Sequence, residues 1–280
     1  MNYRHAFHAG NFADVVKHAV LALTVQALCA KPAPFALLDT HAGIGRYDFW
    51  TDAPNRTDEY KTGIGKLWDI ATQPAELEPY LSVVRAMNAG PHLRHYPGSP
   101  WLMRQLMRLQ DRLVLAEKHP EDAATLKALF HGDRQVAVHH ADGWQSLKAF
   151  LPPKEKRGLA LIDPAFEEGG EYERLCQALI SAHKRWPQGV LLGWHPIKDE
   201  AGVLELYERL RQSGISGILA ARHLVRAPLD AKLLNGSGLV IINPPYRLDE
   251  QLARLLPWLG DRLALGDGAS GRLDWLSKDV

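Results

Sequence analysis

From Asn11 to about Ala30 the apolar side chains Phe12, Val15, Val16, Ala19, Val20 and Leu23 recur at steps of three and four residues. That spacing predicts an amphipathic helix with Asn11 as its N-cap. Residues 34–39 then read as a short buried strand, ending in an acid before a glycine-bearing loop. Between residues 48 and 96 the pattern changes to helix-like stretches at 60–70 and 75–87, broken by Pro54, Pro74 and Gly90. After Pro97-Gly98-Ser99-Pro100 the alternation becomes regular. A helix is expected at 101–110, with Ser99-Pro100 suiting its start. Strands follow at 112–117, 135–139, 158–162 and 190–194, each leading into a helix, at 120–130, 144–150, 172–185 and 201–212. Two further strands, 218–225 and 238–242, precede a helix at 249–259.

Seven strands separated mainly by helices predict an α/β fold with a mostly parallel, doubly wound sheet. The last two strands lack a full helix between them, so the last one is expected to run antiparallel. The implied organisation is one α/β domain over residues 1–47 and 97–280, with 48–96 inserted as a small helical subdomain.

Composition narrows this little. Hydrophobic residues make up 46% and charged residues 23%, enough for an ordinary globular core. A net charge of +1 gives no basic excess of the kind that marks many nucleic-acid binders, and it excludes none, because local patches vanish in a whole-chain sum. Two cysteines, Cys29 and Cys176, provide neither a disulfide framework nor a zinc spacing. No stretch approaches the roughly 18 uninterrupted apolar residues of a membrane span. The opening Met1-Asn2-Tyr3-Arg4-His5 leads into a helix carrying Asp14 and Lys17, unlike a signal peptide. A cytoplasmic protein without membrane attachment is the expectation.

Candidate chemistry lies at the strand ends. The loop His41-Ala42-Gly43-Ile44-Gly45 follows the first strand, where glycines let backbone approach a ligand. It fails the dinucleotide fingerprint, since Asp48 stands at the third glycine position. Asp39 suits a cationic or hydroxyl-rich ligand better than a phosphate, and S-adenosylmethionine has both features. Glu117 ends the next strand, where an acid can accept from both ribose hydroxyls. Asp142-Gly143 follows the third, where an acid can accept from the cofactor's adenine amino group. His139 and His140 are adjacent on a strand and point to opposite faces, so they do not grip one metal, and no metal is expected.

The fourth strand ends in Asp163-Pro164-Ala165-Phe166. An adenine amino nitrogen is a poor nucleophile, because its lone pair is delocalised into the ring. A carboxylate at Asp163 and the rigidly aimed Pro164 carbonyl can each accept one N–H, keeping electron density on nitrogen as it attacks a methyl group. Phe166 can stack on the base. A rival tetrapeptide, Asn243-Pro244-Pro245-Tyr246, is letter for letter the closer amino-methylation motif. It follows the last strand, however, and an antiparallel strand ends on the side away from the crevice. The basic run Lys154-Glu155-Lys156-Arg157 precedes the fourth strand and belongs on that far side too.

The segment Tyr3-Arg4-His5-Ala6-Phe7-His8-Ala9-Gly10-Asn11, with Asp14 and Lys17-His18, resembles the 23S rRNA adenine-N6 methyltransferases of the RlmJ type. Leu38-Asp39-Thr40-His41-Ala42-Gly43, Tyr96-Pro97-Gly98-Ser99-Pro100 and Ile241-Ile242-Asn243-Pro244-Pro245 carry the same resemblance. It implies a Rossmann-like class I methyltransferase with a helical insert, using S-adenosylmethionine on 23S ribosomal RNA before or early in subunit assembly, as a monomer. It also implies cofactor contacts at His18, His41, Gly43, Ser99, Glu117, Asp142, Gly143 and Asp163, the last also being the catalytic acceptor. Tyr3 and His5 would contact the RNA, with Lys17 a phosphate or active-site contact. The chain departs from the family pattern after the catalytic acid, where two prolines and a tyrosine are usual and Pro164, Ala165 and Phe166 stand instead. Ala165 restores an N–H and frees a torsion, and Phe166 keeps the stacking face without the hydroxyl. Two alternatives stand beside this reading: amino-group methylation of DNA or protein, and an RNA-binding relative without activity.

Overall fold

In the computed structural model, which describes residues 8–50 and 58–278, the first half of the chain builds α1 (Phe12–Cys29), β1 (Ala36–Asp39), β2 (Arg46–Asp48), α2 (Gly65–Trp68), α3 (Glu78–Ala86), β3 (His95–Pro97), α4 (Ser99–Leu106), β4 (Arg112–Glu117), α5 (Pro120–Leu129) and β5 (Val136–His140). The second half adds α6 (Gly143–Phe150), β6 (Gly158–Ile162), α7 (Glu171–Arg185), β7 (Val190–Ile197), α8 (Ala201–Arg211), β8 (Ile218–Leu224), β9 (Gly236–Ile242), α9 (Leu248–Arg262) and β10 (Ser270–Ser277). Eight strands form one sheet in the order β10-β8-β9-β7-β6-β1-β4-β5. β1 pairs in parallel with both β4 and β6, and the chain order reverses on either side of it. This is the switch point at which open α/β sheets bind ligands, beyond the carboxyl ends of their strands.

The seven strands expected from the hydropathy pattern are all present, and β9 runs antiparallel to both β7 and β8. The sheet has an eighth strand that the pattern did not disclose. β10 pairs antiparallel with β8 through Ser270–Ser277, most of it only half-buried, so its apolar signal is weak and long-range pairing makes the strand. The ribbon β2–β3 was also missed; each strand is three residues long, and Arg46, Tyr47 and Asp48 meet Pro97, Tyr96 and His95 across 48 or so residues of chain.

Strand residues alternate between two cores. Leu37, Leu159 and Leu161 face α1, α4, α5 and α9, whereas Leu38, Ala160 and Ile162 face α6, α7 and α8. The expectation of an amphipathic α1 needs correction. Asn11 does cap it, accepting from the Asp14 N–H at 3.0 Å, but the helix is buried nearly all round, including Asp14, Lys17 and His18. α3 covers one side through Tyr80, Leu81, Val83 and Val84, while α4 and the sheet cover others. By length and composition α1 is also apolar enough to cross a membrane, yet 83% of it is enclosed by the rest of the fold. The α3 end of the segment 48–96 lies against α1, and Arg254 of α9 pairs with Glu76 at 2.6 Å.

Candidate active site

Because β1, β4, β5, β6 and β7 are parallel, the acids that end the first four of them arrive along one edge. The β1 loop is tied down first. Gly43 takes φ +59°, a left-handed backbone that favours glycine, and a Cβ there would sit 2.7 Å from the Tyr47 hydroxyl. Its N–H donates to Glu117 Oε2 at 2.7 Å, and the His119 N–H donates to Oε1 at 2.7 Å. Each carboxylate oxygen thus keeps a lone pair for a hydroxyl, which fits a vicinal diol.

Asp142 caps α6, accepting from the N–H groups of Trp144 at 3.0 Å and Gln145 at 3.2 Å through Oδ1. Burial works against its charge, but Lys118, 3.0 Å from Oδ2, and those N–H groups hold the carboxyl below its ordinary range. Gly143 begins the helix where the chain crosses the β1 loop; a Cβ would lie 2.2 Å from the Thr40 carbonyl and 2.8 Å from the His41 ring. His41 is seated between this glycine and Trp144, whose ring meets it edge-on at 5.4 Å. Burial pushes its imidazole down to about 4, so it is neutral at pH 7. Asp39 is fully buried, and burial drives its carboxyl up to about 7 against the Ser99 hydroxyl, which donates to Oδ2 at 2.6 Å. Ser99 therefore meets the site by holding Asp39.

At the end of β6, Asp163 lies beside the middle of β7, because Ile162 pairs with Gly193. Its Oδ2 accepts from Lys17 Nζ at 2.5 Å, and the same ammonium lies 2.8 Å from Asp14 Oδ1. Burial opposes a charge on Lys17, yet the two carboxylates outweigh it and raise the ammonium above the ordinary lysine range. Of the two contacts expected for Lys17, with a phosphate or within the active site, its burial between the two acids fits the second. Pro164 is buried, and Phe166 sits at φ +53° with its ring edge-on to Tyr172 at 5.0 Å and to Trp194 at 5.8 Å. Lys17 Nζ stands 5.9 Å from the Trp194 ring centre.

Other expected residues are placed differently. His18, next to Lys17 on α1, turns into the core; its Nδ1 is 2.8 Å from the Tyr96 hydroxyl, which is 3.0 Å from that of Tyr80. Tyr3 and His5 lie outside the described residues. Asn243 stands at the opposite end of the sheet, since β9 is antiparallel and Ile242 pairs with Leu191 and Ile218 at the starts of β7 and β8. There its side-chain amide donates to the carbonyls of Pro187 and Gly189 at 2.7 and 2.8 Å, pinning a left-handed turn at φ +55°. The basic run 154–157 is on that side as well, where Arg112 pairs with Glu155 and Arg157 donates to the carbonyls of Ala33 and Leu28. Asp14, Tyr172 and Trp194 are the site neighbours that sequence reading did not single out. Asp14 was legible as an i,i+3 partner of Lys17, whereas the other two are brought in by tertiary packing alone.

The residues present fit S-adenosylmethionine: a carboxylate free to take a diol, a capped acid beside a required glycine, and a neutral, half-buried imidazole against that glycine. Comparison with known proteins agrees. A family model described as ribosomal RNA large subunit methyltransferase D, RlmJ, matches residues 32–277. The chain is 40% identical over 276 residues to ribosomal RNA large subunit methyltransferase J of Escherichia coli, covering 99% of each. It is 39% identical to the protein of that name from Haemophilus influenzae, covering 100% of both. The crystal structure of protein LPL1258 from Legionella pneumophila superposes with a TM-score of 0.88 at 36% identity, over 96% of this chain and 98% of that one.

Proposed function

The chain belongs to the RlmJ family of S-adenosylmethionine-dependent ribosomal RNA large subunit methyltransferases, and from that premise we propose that it methylates the N6 amino group of a single adenine in 23S ribosomal RNA. The observation that carries the adenine assignment is the Asp163 carboxylate at the end of β6, held through one oxygen by Lys17 and followed by Pro164 and Phe166. The cofactor supplies the electrophilic methyl group. Lys17 occupies Asp163 Oδ2, so Oδ1 remains to accept one amino hydrogen of the base, and the Pro164 carbonyl accepts the other. Those two acceptors favour the amino nitrogen as it gains positive charge during attack. Phe166 offers the ring face on which the base stacks.

On the cofactor side, Glu117 takes the ribose hydroxyls, and Asp142 with Gly143 borders the cofactor's adenine. His41 and Gly43 line the loop between them, with Ser99 acting through Asp39. His18 holds Tyr96 behind α1. Tyr3 and His5 reach the RNA from the N-terminal segment. Fixing donor and acceptor in line accounts for much of the remaining acceleration. A base paired or stacked in folded RNA must first be rotated out, so access to protein-free RNA is expected to matter.

The deciding experiment is mass-spectrometric mapping of N6-methyladenine in ribosomal RNA from cells with and without the protein. It is paired with radiolabelled methyl transfer to 23S RNA, DNA and bulk protein. One N6-methyladenine lost with the protein and label confined to 23S RNA are expected. Label in DNA or protein alone would overturn the reading. Naked 23S RNA should be methylated faster than intact large subunits, and a faster rate on subunits would refute the early-assembly assignment.

A further inference from the structure

Trp194 follows the run in which β7 pairs with β6, one residue beyond the partner of Ile162, and so stands beside Asp163. Its indole Nε1 is buried and has no hydrogen-bond partner among the described residues. Buried donors are nearly always satisfied, and one left without an acceptor is a standing cost that a ligand acceptor removes. The surroundings narrow the ligand. The ring meets Phe166 at an interplanar angle of 79°, so a base lying parallel to Phe166 meets Trp194 as a side wall and not as a second stacking plate. Lys17, the charged donor nearby, is already committed to Asp14 and Asp163. The acceptor Asp163 and the uncommitted donor Trp194 therefore lie side by side.

We propose that Trp194 reads the target base, its indole N–H donating to the ring nitrogen next to the amino group that Asp163 holds. This rests on the reading of Asp163 as the amino-group acceptor. Adenine presents an amino donor beside an acceptor on both edges, at N1 and at N7. Guanine presents a carbonyl where Asp163 needs a donor on either edge, and on the N1 edge its N1–H would also face the indole N–H. An acceptor–donor pair of this kind therefore selects adenine over guanine at the methylation step. Because the nitrogen is enclosed in the free protein, the pair is completed when the entering base displaces the side chains over it.

The test compares wild type with Trp194→Phe, which keeps an aromatic wall and removes only the donor. Substrates are RNAs carrying adenine, 1-deazaadenine or 7-deazaadenine at the mapped target. The variant should bind S-adenosylmethionine as wild type does, which also reports that it is folded. Its kcat/KM on adenine RNA should fall about 5- to 100-fold, the size of one buried hydrogen bond. On whichever deaza substrate lacks the acceptor, wild type and variant should be equally slow. Unchanged kcat/KM, an equal penalty on all three substrates, or a parallel loss of cofactor affinity would each overturn the role. A wild type that leaves adenine RNA unmethylated would instead bring down the reading of the reaction, and this role with it.

Discussion

Asp163 and Asn243 are both polar residues at strand exits followed by proline, and single-residue chemistry does not tell them apart. Their surroundings do. Asp163 keeps one oxygen clear of Lys17 on the crevice side, while both protons of the Asn243 amide are spent on backbone carbonyls at the far end. Asp163→Asn should cut methyl transfer about 10²- to 10³-fold with little change in melting temperature, as expected for losing one preorganised charge-stabilising group. Asn243→Ala should leave turnover per folded molecule intact while costing about 1–3 kcal/mol of stability, read from denaturant melts. The reverse pattern would move the active site. Strand direction made this distinction legible in the sequence. The sequence did not disclose what Lys17 does, because its partner Asp163 is 146 residues away and only folding brings them together.

At the scale of elements, the site is a joint between α1, the carboxyl end of β6 and the middle of β7. α1 was foreseen with its cap, but its burial was not, since the segments that cover it, α3, α4 and β9, come from distant parts of the chain. The parallel strands were legible because each is a short apolar run delivering a polar residue at its end. β10 and the β2–β3 ribbon were not, having too little buried surface of their own to mark them. The joint makes a prediction. Lys17→Met removes the ammonium between Asp14 and Asp163 and leaves the buried Asp14 carboxylate facing the partly buried Asp163. The variant should lose about 3–5 kcal/mol of stability, the usual cost of breaking a buried ion pair from one side. Adding Asp14→Leu should recover part of that loss without recovering methylation. Urea melts and methyl-transfer assays on both variants check this, and full activity in the single variant would dismiss the joint as a catalytic feature.

Across the whole molecule, three histidines set the response to acid. His41, His195 and His223 are each pushed by burial down to about 4. A group depressed in the folded state is stabilising above its unfolded value, and that stabilisation is lost as pH falls through its folded one. These three should therefore make the protein melt at progressively lower temperature as pH drops from about 6.5 towards 4. Asp39, raised to about 7, acts in the opposite sense: it favours the fold at low pH and ceases to do so as pH rises through neutrality. Burial also lowers His95, His139 and His183, and raises Glu171 alongside Asp39, so the net slope should still follow the histidines. Melting curves taken at half-unit steps check it, and a flat profile between pH 4 and 6.5 would contradict it. The sign of this balance was beyond sequence reading, since thirteen histidines look alike until burial separates them.

The pairing within α1 has a consequence for how the chain is made. In synthesis from N- to C-terminus, this helix precedes every strand that will enclose it, and its length and composition are those of a membrane-crossing segment. At roughly 5–20 residues per second, about 7 to 30 s separate the appearance of Lys17 from that of Asp163. During that interval an apolar helix is exposed to any machinery that sorts hydrophobic segments into lipid. Asp14 and Lys17 each carry an insertion penalty of about 2.5–3.5 kcal/mol near a helix centre. The two charges that later meet the Asp163 carboxylate are thus the ones that oppose insertion of the nascent helix into the bilayer.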